Sequence, residues 1–142
     1  MPADRAAARA ALAQILAAEV SAAQAVYAYQ PGDFGGQSPV VCVSSGPIRR
    51  PPLSFRGGQA ALQLVVDVFV LYADEGAGYT EADAEDALDQ VEHQVAGVVA
   101  RYQEAGAWNT LDYAGDTTVD FLTIGGVPYK HERIPLAALL FS

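Results

Sequence analysis

Few residues in this chain are of a type that does chemistry, and their spacing limits what each can do. There are two histidines, His93 and His131, and a single cysteine, Cys42, among 142 residues. Neither histidine lies in a His-x-x-x-His repeat, and one cysteine makes no Cys-x-x-Cys pair, so the ligand spacing of a zinc site is missing. One cysteine also means no intramolecular disulfide. Cys42 sits in the apolar run Val40-Val41-Cys42-Val43, where a thiol packs as a small hydrophobe. A nucleophilic thiol needs a base and an electropositive setting, and its sequence neighbours offer neither. His131 stands in Lys130-His131-Glu132-Arg133, which reads as an exposed patch of mixed charge. Most serines fall in loop-like stretches and none in a Gly-x-Ser-x-Gly elbow. Dinucleotide-binding and Walker patterns are absent. The sequence therefore predicts no catalytic residue, no metal ligand and no cofactor, and favours a binding or structural role over an enzyme.

The charges are more telling than the nucleophiles. Seventeen acidic residues oppose eight basic ones, a net charge of −9. Binding to nucleic acid rests on Lys and Arg neutralising phosphates, so a chain this acidic does not coat DNA or RNA. The two signs are segregated. Residues 74–92 hold eight carboxylates and no Lys or Arg. Glu85, Asp86, Asp89 and Glu92 belong to a helical pattern, without the alternating oxygen ligands around a glycine that a calcium loop needs. They read as a solvated helix face or as a charged rim turned to another subunit. Three of the eight basic residues, Arg49, Arg50 and Arg56, fall between Pro47 and Gly58 with Pro51, Pro52 and Gly57. Two readings of that segment stand side by side, a solvated hairpin tip and a protruding arm that binds a partner.

These residues need elements to position them. Leu12, Ile15, Leu16, Val20 and Ala23 recur at three-and-four spacing, which predicts a helix from residue 3 to about 20. That stretch, broken by Asp4, Gln14 and Glu19, reads as a helix rather than a signal peptide. No run of about 18 apolar residues exists to span a membrane. Val26–Tyr29 reads as a short extended piece. Residues 30–39 are rich in glycine and proline and read as a loop, with Phe34 either tucked beneath it or docked on a neighbour. Val40–Val43 reads as a short strand. Residues 61–73 form the strongest strand pattern, apolar on both faces, as a central strand requires. Thr80 and Asp83 make a capping box for a helix that stops near Gly106. Strands follow at 108–113, 117–124 and 127–141, the last two joined by a tight turn at Gly125-Gly126. Pro135 marks the last strand as irregular or at an edge. The expected fold is one α+β domain over residues 1–142, a mainly antiparallel sheet packed against two helices, with a protruding loop or hairpin arm.

The order and texture of these pieces resemble the small tail-terminator or tail-completion proteins of long-tailed phages and prophage-like elements. The resemblance is carried by the N-terminal helix, the stretch Val26-Tyr27-Ala28-Tyr29-Gln30-Pro31-Gly32-Asp33-Phe34-Gly35-Gly36-Gln37-Ser38-Pro39-Val40-Val41, the strand at 61–73, the helix at 80–105, and the ending Gly126-Val127-Pro128-Tyr129-Lys130-His131-Glu132-Arg133-Ile134-Pro135-Leu136. It implies a structural virion protein, assembled in host cytoplasm, that closes the tail tube as a ring of six copies and joins the tail to the head. Its implied partners are other copies of itself, the major tail tube protein and the head-side connector or stopper. DNA would pass through the lumen without specific binding, and no membrane is involved. Phe34, Arg49, Arg50, Arg56, Glu85, Asp86, Asp89 and Glu92 are the expected interface residues. The nearest alternative is a head-completion or stopper protein of the head–tail joint; a small ligand-binding domain is more distant.

Overall fold

The computed structural model describes residues 4–49, 59–72 and 78–141. Two helices, α1 (Arg5–Glu19) and α2 (Glu81–Arg101), combine with six strands: β1 (Ala25–Tyr27), β2 (Val40–Arg49), β3 (Gln59–Leu71), β4 (Thr110–Tyr113), β5 (Thr118–Ile124) and β6 (Val127–Phe141). All six lie in one sheet in the order β1-β2-β3-β6-β4, with β5 also paired to β6. Every pairing is antiparallel except β1 with β2. The expected α+β class is what the chain adopts. The expected arm falls largely outside the described residues, which include Arg49 at the end of β2 but neither Arg50 nor Arg56.

Side-chain alternation along β3 decides how the layers stack, because successive residues of a strand point to opposite faces. Leu62, Leu64, Val66, Val68 and Val70 are buried with Leu12 and Leu16 of α1 and with Leu88, Val91, Val95 and Val98 of α2. Val41 and Val43 of β2 and Ile134, Leu136 and Ala138 of β6 join the same core. Both helices thus pack on one face of the sheet. Thr80 caps α2: its hydroxyl accepts from the Asp83 N–H while the Asp83 carboxylate accepts from the Thr80 N–H. Asp4 caps α1 by accepting from the Ala7 N–H. The helices are tied to each other where Gln94 donates to the Ser21 hydroxyl and accepts from the Ala22 N–H, and where Tyr102 donates to Glu19 at 2.6 Å.

The opposite face carries a smaller core. Phe34, Val40, Cys42, Phe69 and Tyr129 are buried together. The Phe34 ring lies 4.9 Å from Phe69 and 5.3 Å from Tyr129, tilted and edge-on, arrangements that aromatic quadrupoles favour.

Two strand expectations change. β2 runs to Arg49 rather than stopping at Val43, crossing Pro47 through a register shift between Ser45 and Ile48. β6 is an inner strand despite Pro135: β3 pairs along one side of it, and β4 and β5 share the other. The Pro135 carbonyl accepts from the Ala114 N–H, so its backbone groups point to the β4–β5 side. The missing proline donor therefore falls where β4 has ended and β5 has not begun, and no ladder bond is lost.

Candidate interaction surface

The sheet face that carries Phe34 also holds a tight group of charges. Asp67 of β3 lies opposite Arg133 of β6, and Asp120 of β5 lies opposite His131. His131 Nε2 is 2.6 Å from Asp67 Oδ1, and His131 Nδ1 is 2.6 Å from Asp120 Oδ1. Arg133 Nε donates to Asp67 Oδ1 at 2.9 Å. The Phe69 ring stacks on the imidazole, with centroids 4.8 Å apart. An ionised carboxylate only accepts, so both ring nitrogens must donate and the ring is an imidazolium. Two positive and two negative charges then cancel.

Burial and pairing pull against each other here. Burial raises the Asp67 carboxyl, but the bonds from His131 and Arg133, with their charges, outweigh it and hold Asp67 below the ordinary carboxylate range. Burial lowers His131, but its bonds to Asp67 and Asp120, with their charges, outweigh it and raise the imidazole above its ordinary value. Asp67 and His131 are 1% and 3% exposed. A buried, neutralised, fully bonded group is a structural tie rather than an acid–base pair waiting for substrate. The nearest thiol, Cys42, is opposite Asp67 in register, and burial followed by the Asp67 charge pushes it up to about 12. It is no nucleophile. Lys130, His131 and Glu132, expected in an exposed patch, are instead enclosed, because β6 is an inner strand: His131 lies beside Phe69 and Asp67 on one face, and Lys130 and Glu132 are buried on the other.

What the tie fastens is β5. This strand pairs with β6 along one edge, and among the described residues no strand pairs with its other edge. Its side chains are exposed: Val119 51%, Phe121 60% and Leu122 37%. Tyr113 of β4 adds another exposed ring nearby. Phe121 is propped edge-on against Tyr72 at 5.0 Å and faces the Lys130 ammonium.

The acidic helix borders this surface. Glu85 forms an ion pair with Lys130. Glu132, beside Val119 in register, is raised above the ordinary carboxyl range by burial and by Glu92 and Asp89, with a Thr117 hydrogen bond pulling the other way. Glu85, Asp89 and Glu92 therefore line the α2 flank that faces β5 and β6, while Asp86 is exposed a step around the helix. Of the other expected interface residues, Phe34 is 2% exposed and packed inside its own chain. It is tucked beneath its loop and is not available to dock on a neighbour. Arg49 ends β2, and Arg50 and Arg56 lie outside the described residues.

No group of three or more His, Cys, Asp or Glu among the described residues is placed to hold a metal. No helix of the described residues is long and apolar enough to cross a membrane. Compared with known proteins, the chain matches no family model and no curated protein.

Proposed function

We propose that the protein is a structural subunit that assembles head to tail into a ring and closes the end of a phage tail tube. The observation that carries this reading is the β5 edge, which no strand pairs among the described residues, held by a buried charge tie and studded with exposed Val119, Phe121 and Leu122. An edge strand exposes unpaired backbone donors and acceptors, and soluble proteins usually blunt or cover such an edge. Here the far edge of the sheet is a different element, the short β1. Contacts between two unlike surfaces propagate head to tail and close into a ring when the rotation permits. The only thiol is inert and the buried histidine is fully engaged, which favours assembly over catalysis. Seventeen acidic residues against eight basic ones suit a lumen along which DNA slides without adhering.

The test is the mass of the protein by light scattering, alone and with tail tube protein, alongside tube length by electron microscopy. A ring in either sample, with tubes that stop growing, supports the terminator reading. A chain that ignores tubes and binds a portal ring instead identifies a head-completion protein. A chain that stays monomeric with both refutes the assembly reading.

A further inference from the structure

We infer that, in the free protein, β5 pairs with the β5 of a second copy about a two-fold axis at Phe121, joining two sheets edge to edge. The inference goes beyond the ring reading: a chain paired in this way has its β5 edge filled and cannot present it head to tail until the pair parts.

Backbone direction defines what this edge offers. The Pro128 carbonyl accepts from the Tyr72 N–H, so even-numbered residues of β6 bond towards β3. The Pro135 and Leu139 carbonyls accept from the Ala114 and Asn109 N–H groups, so odd-numbered residues of β6 bond towards β4 and β5. Val127, Tyr129, His131 and Arg133 lie opposite Ile124, Leu122, Asp120 and Thr118, and these four residues of β5 therefore bond to β6. Alternation leaves Val119, Phe121 and Thr123 with their N–H and C=O groups turned to the outer edge, where no strand pairs among the described residues.

Self-pairing has one register that uses all three. Antiparallel copies related by a two-fold axis perpendicular to the sheet keep their faces aligned, so outward residues meet outward residues. An axis at Phe121 sets Phe121 opposite its own copy and Val119 opposite Thr123, and every outward N–H and C=O of both strands is bonded. An axis at Asp120 sets Thr123 opposite residue 117, and an axis at Leu122 sets Val119 opposite residue 125, both beyond the ends of β5. An axis at Asp120 also brings two like charges directly opposite each other, which destabilises a strand pair.

The side chains agree with that register. On the α2 face the axis brings together two Phe121 rings, each 60% exposed in the single chain, with a Val119–Thr123 pair on either side. Aromatic and β-branched residues opposite one another stabilise antiparallel strands. On the other face Asp120 stands opposite Leu122, so the two Asp120 carboxylates are diagonal neighbours about 7–8 Å apart. The charges closest to the axis are matched within each chain: Lys130, which faces Phe121, pairs with Glu85, and Asp120 pairs with His131. Glu132, with Asp89 and Glu92 near it, lies at Val119, off the axis. A chain at −9 thus brings matched charges to its own centre of contact. The contact is also closed. It fills both edges and admits no third copy, which shields a strand edge that otherwise templates aggregation.

Sedimentation of the free chain, without tail tube protein, tests the pairing, and the expected result is a concentration-dependent dimer. Phe121→Cys should form a disulfide-linked dimer on mild oxidation, since residues opposite each other in a bonded antiparallel pair stand about 5.5 Å apart at Cα, within disulfide reach. Thr118→Cys should not, because Thr118 meets Ile124 of the second copy and its own counterpart lies about 20 Å along the strand. The native Cys42 is buried and does not compete. Phe121→Glu sets two carboxylates opposite each other, and Thr123→Pro deletes an outward donor but none bonded to β6; each should weaken the dimer roughly tenfold or more while circular dichroism stays native. A chain that is monomeric at every concentration, a dimer indifferent to both substitutions, or equal cross-linking at positions 118 and 121 overturns the pairing. Each of those results leaves the ring reading to its own test with tube protein.

Discussion

Raising the pH should loosen β5, and the size of the effect follows from the His131 geometry. The imidazolium donates to Asp67 and Asp120 at 2.6 Å each. Once it loses a proton only one nitrogen can donate. The proton stays toward Asp67, which is buried and has no water to turn to, and the Asp120 contact becomes two facing lone pairs. A hydrogen bond to a charged group contributes about 1.5–3 kcal/mol. The Asp120 side recovers water because that residue is exposed, which reduces its share. The Asp67 side keeps a weaker neutral bond and its Arg133 partner. The expected loss is therefore about 1–3 kcal/mol, roughly 1 M in urea midpoint for a small domain. His131 is raised in the folded state, so its contribution is complete below the unfolded value of about 6.5 and fades as pH climbs through the folded value. Asp67 is lowered, so its contribution is complete above its ordinary value and fades only in stronger acid as pH falls through the folded value. Urea denaturation of the native chain and of His131→Phe, from pH 5 to 9, isolates the tie from the general repulsion of a chain at −9. The stability gap between the two should be widest near pH 5–6 and narrow by pH 9. His93, exposed on α2, is the second imidazole in the NMR spectrum, and the His131→Phe variant assigns the His131 signal. A gap that is constant with pH, or a His131 midpoint below about 6.5, refutes the imidazolium tie.

Other positions give simpler expectations. Phe34→Ala empties the centre of the second core and should cost about 3–5 kcal/mol by chemical denaturation. Gly125→Ala should destabilise the β5–β6 hairpin by about 1–3 kcal/mol. Its φ is +58° and an added Cβ would sit 2.7 Å from the Asp33 side chain; proteolysis within the hairpin should accelerate. Thr80→Ala removes one half of the capping box and should cost about 1 kcal/mol in thermal or urea unfolding.

Much of this architecture was legible in the chain itself. Alternation along residues 61–73 marked a strand buried on both faces, because only a central strand is apolar at every second position on both sides. The apolar stripe from Ala84 to Val98 and the Thr80–Asp83 pair marked α2 and its start, because helical spacing and capping are local properties. Gly125-Gly126 fixed the last hairpin, and with it the register that sets Asp120 opposite His131. That register was one signal by which part of the charge tie could have been read in advance. Asp67, a lone carboxylate in an apolar strand, was another. The sequence could not bring them together, because the bond between His131 and Asp67 depends on β3 and β6 being neighbours, a pairing of residues 64 apart that no local pattern encodes. The same tertiary choice enclosed His131, which its charged sequence neighbours had marked as exposed, and buried Phe34, which its polar loop had left undecided. Pro135 made the point in reverse. Locally it signals a strand edge, yet its missing N–H falls where β4 gives way to β5, so the sheet accommodates it inside. Sequence determined which segments are helix or strand and which faces are apolar, since these follow from neighbours a few residues away. The tertiary structure alone decided which charges neutralise one another and which strand edge stays unpaired among the described residues, since both depend on what lies across the sheet.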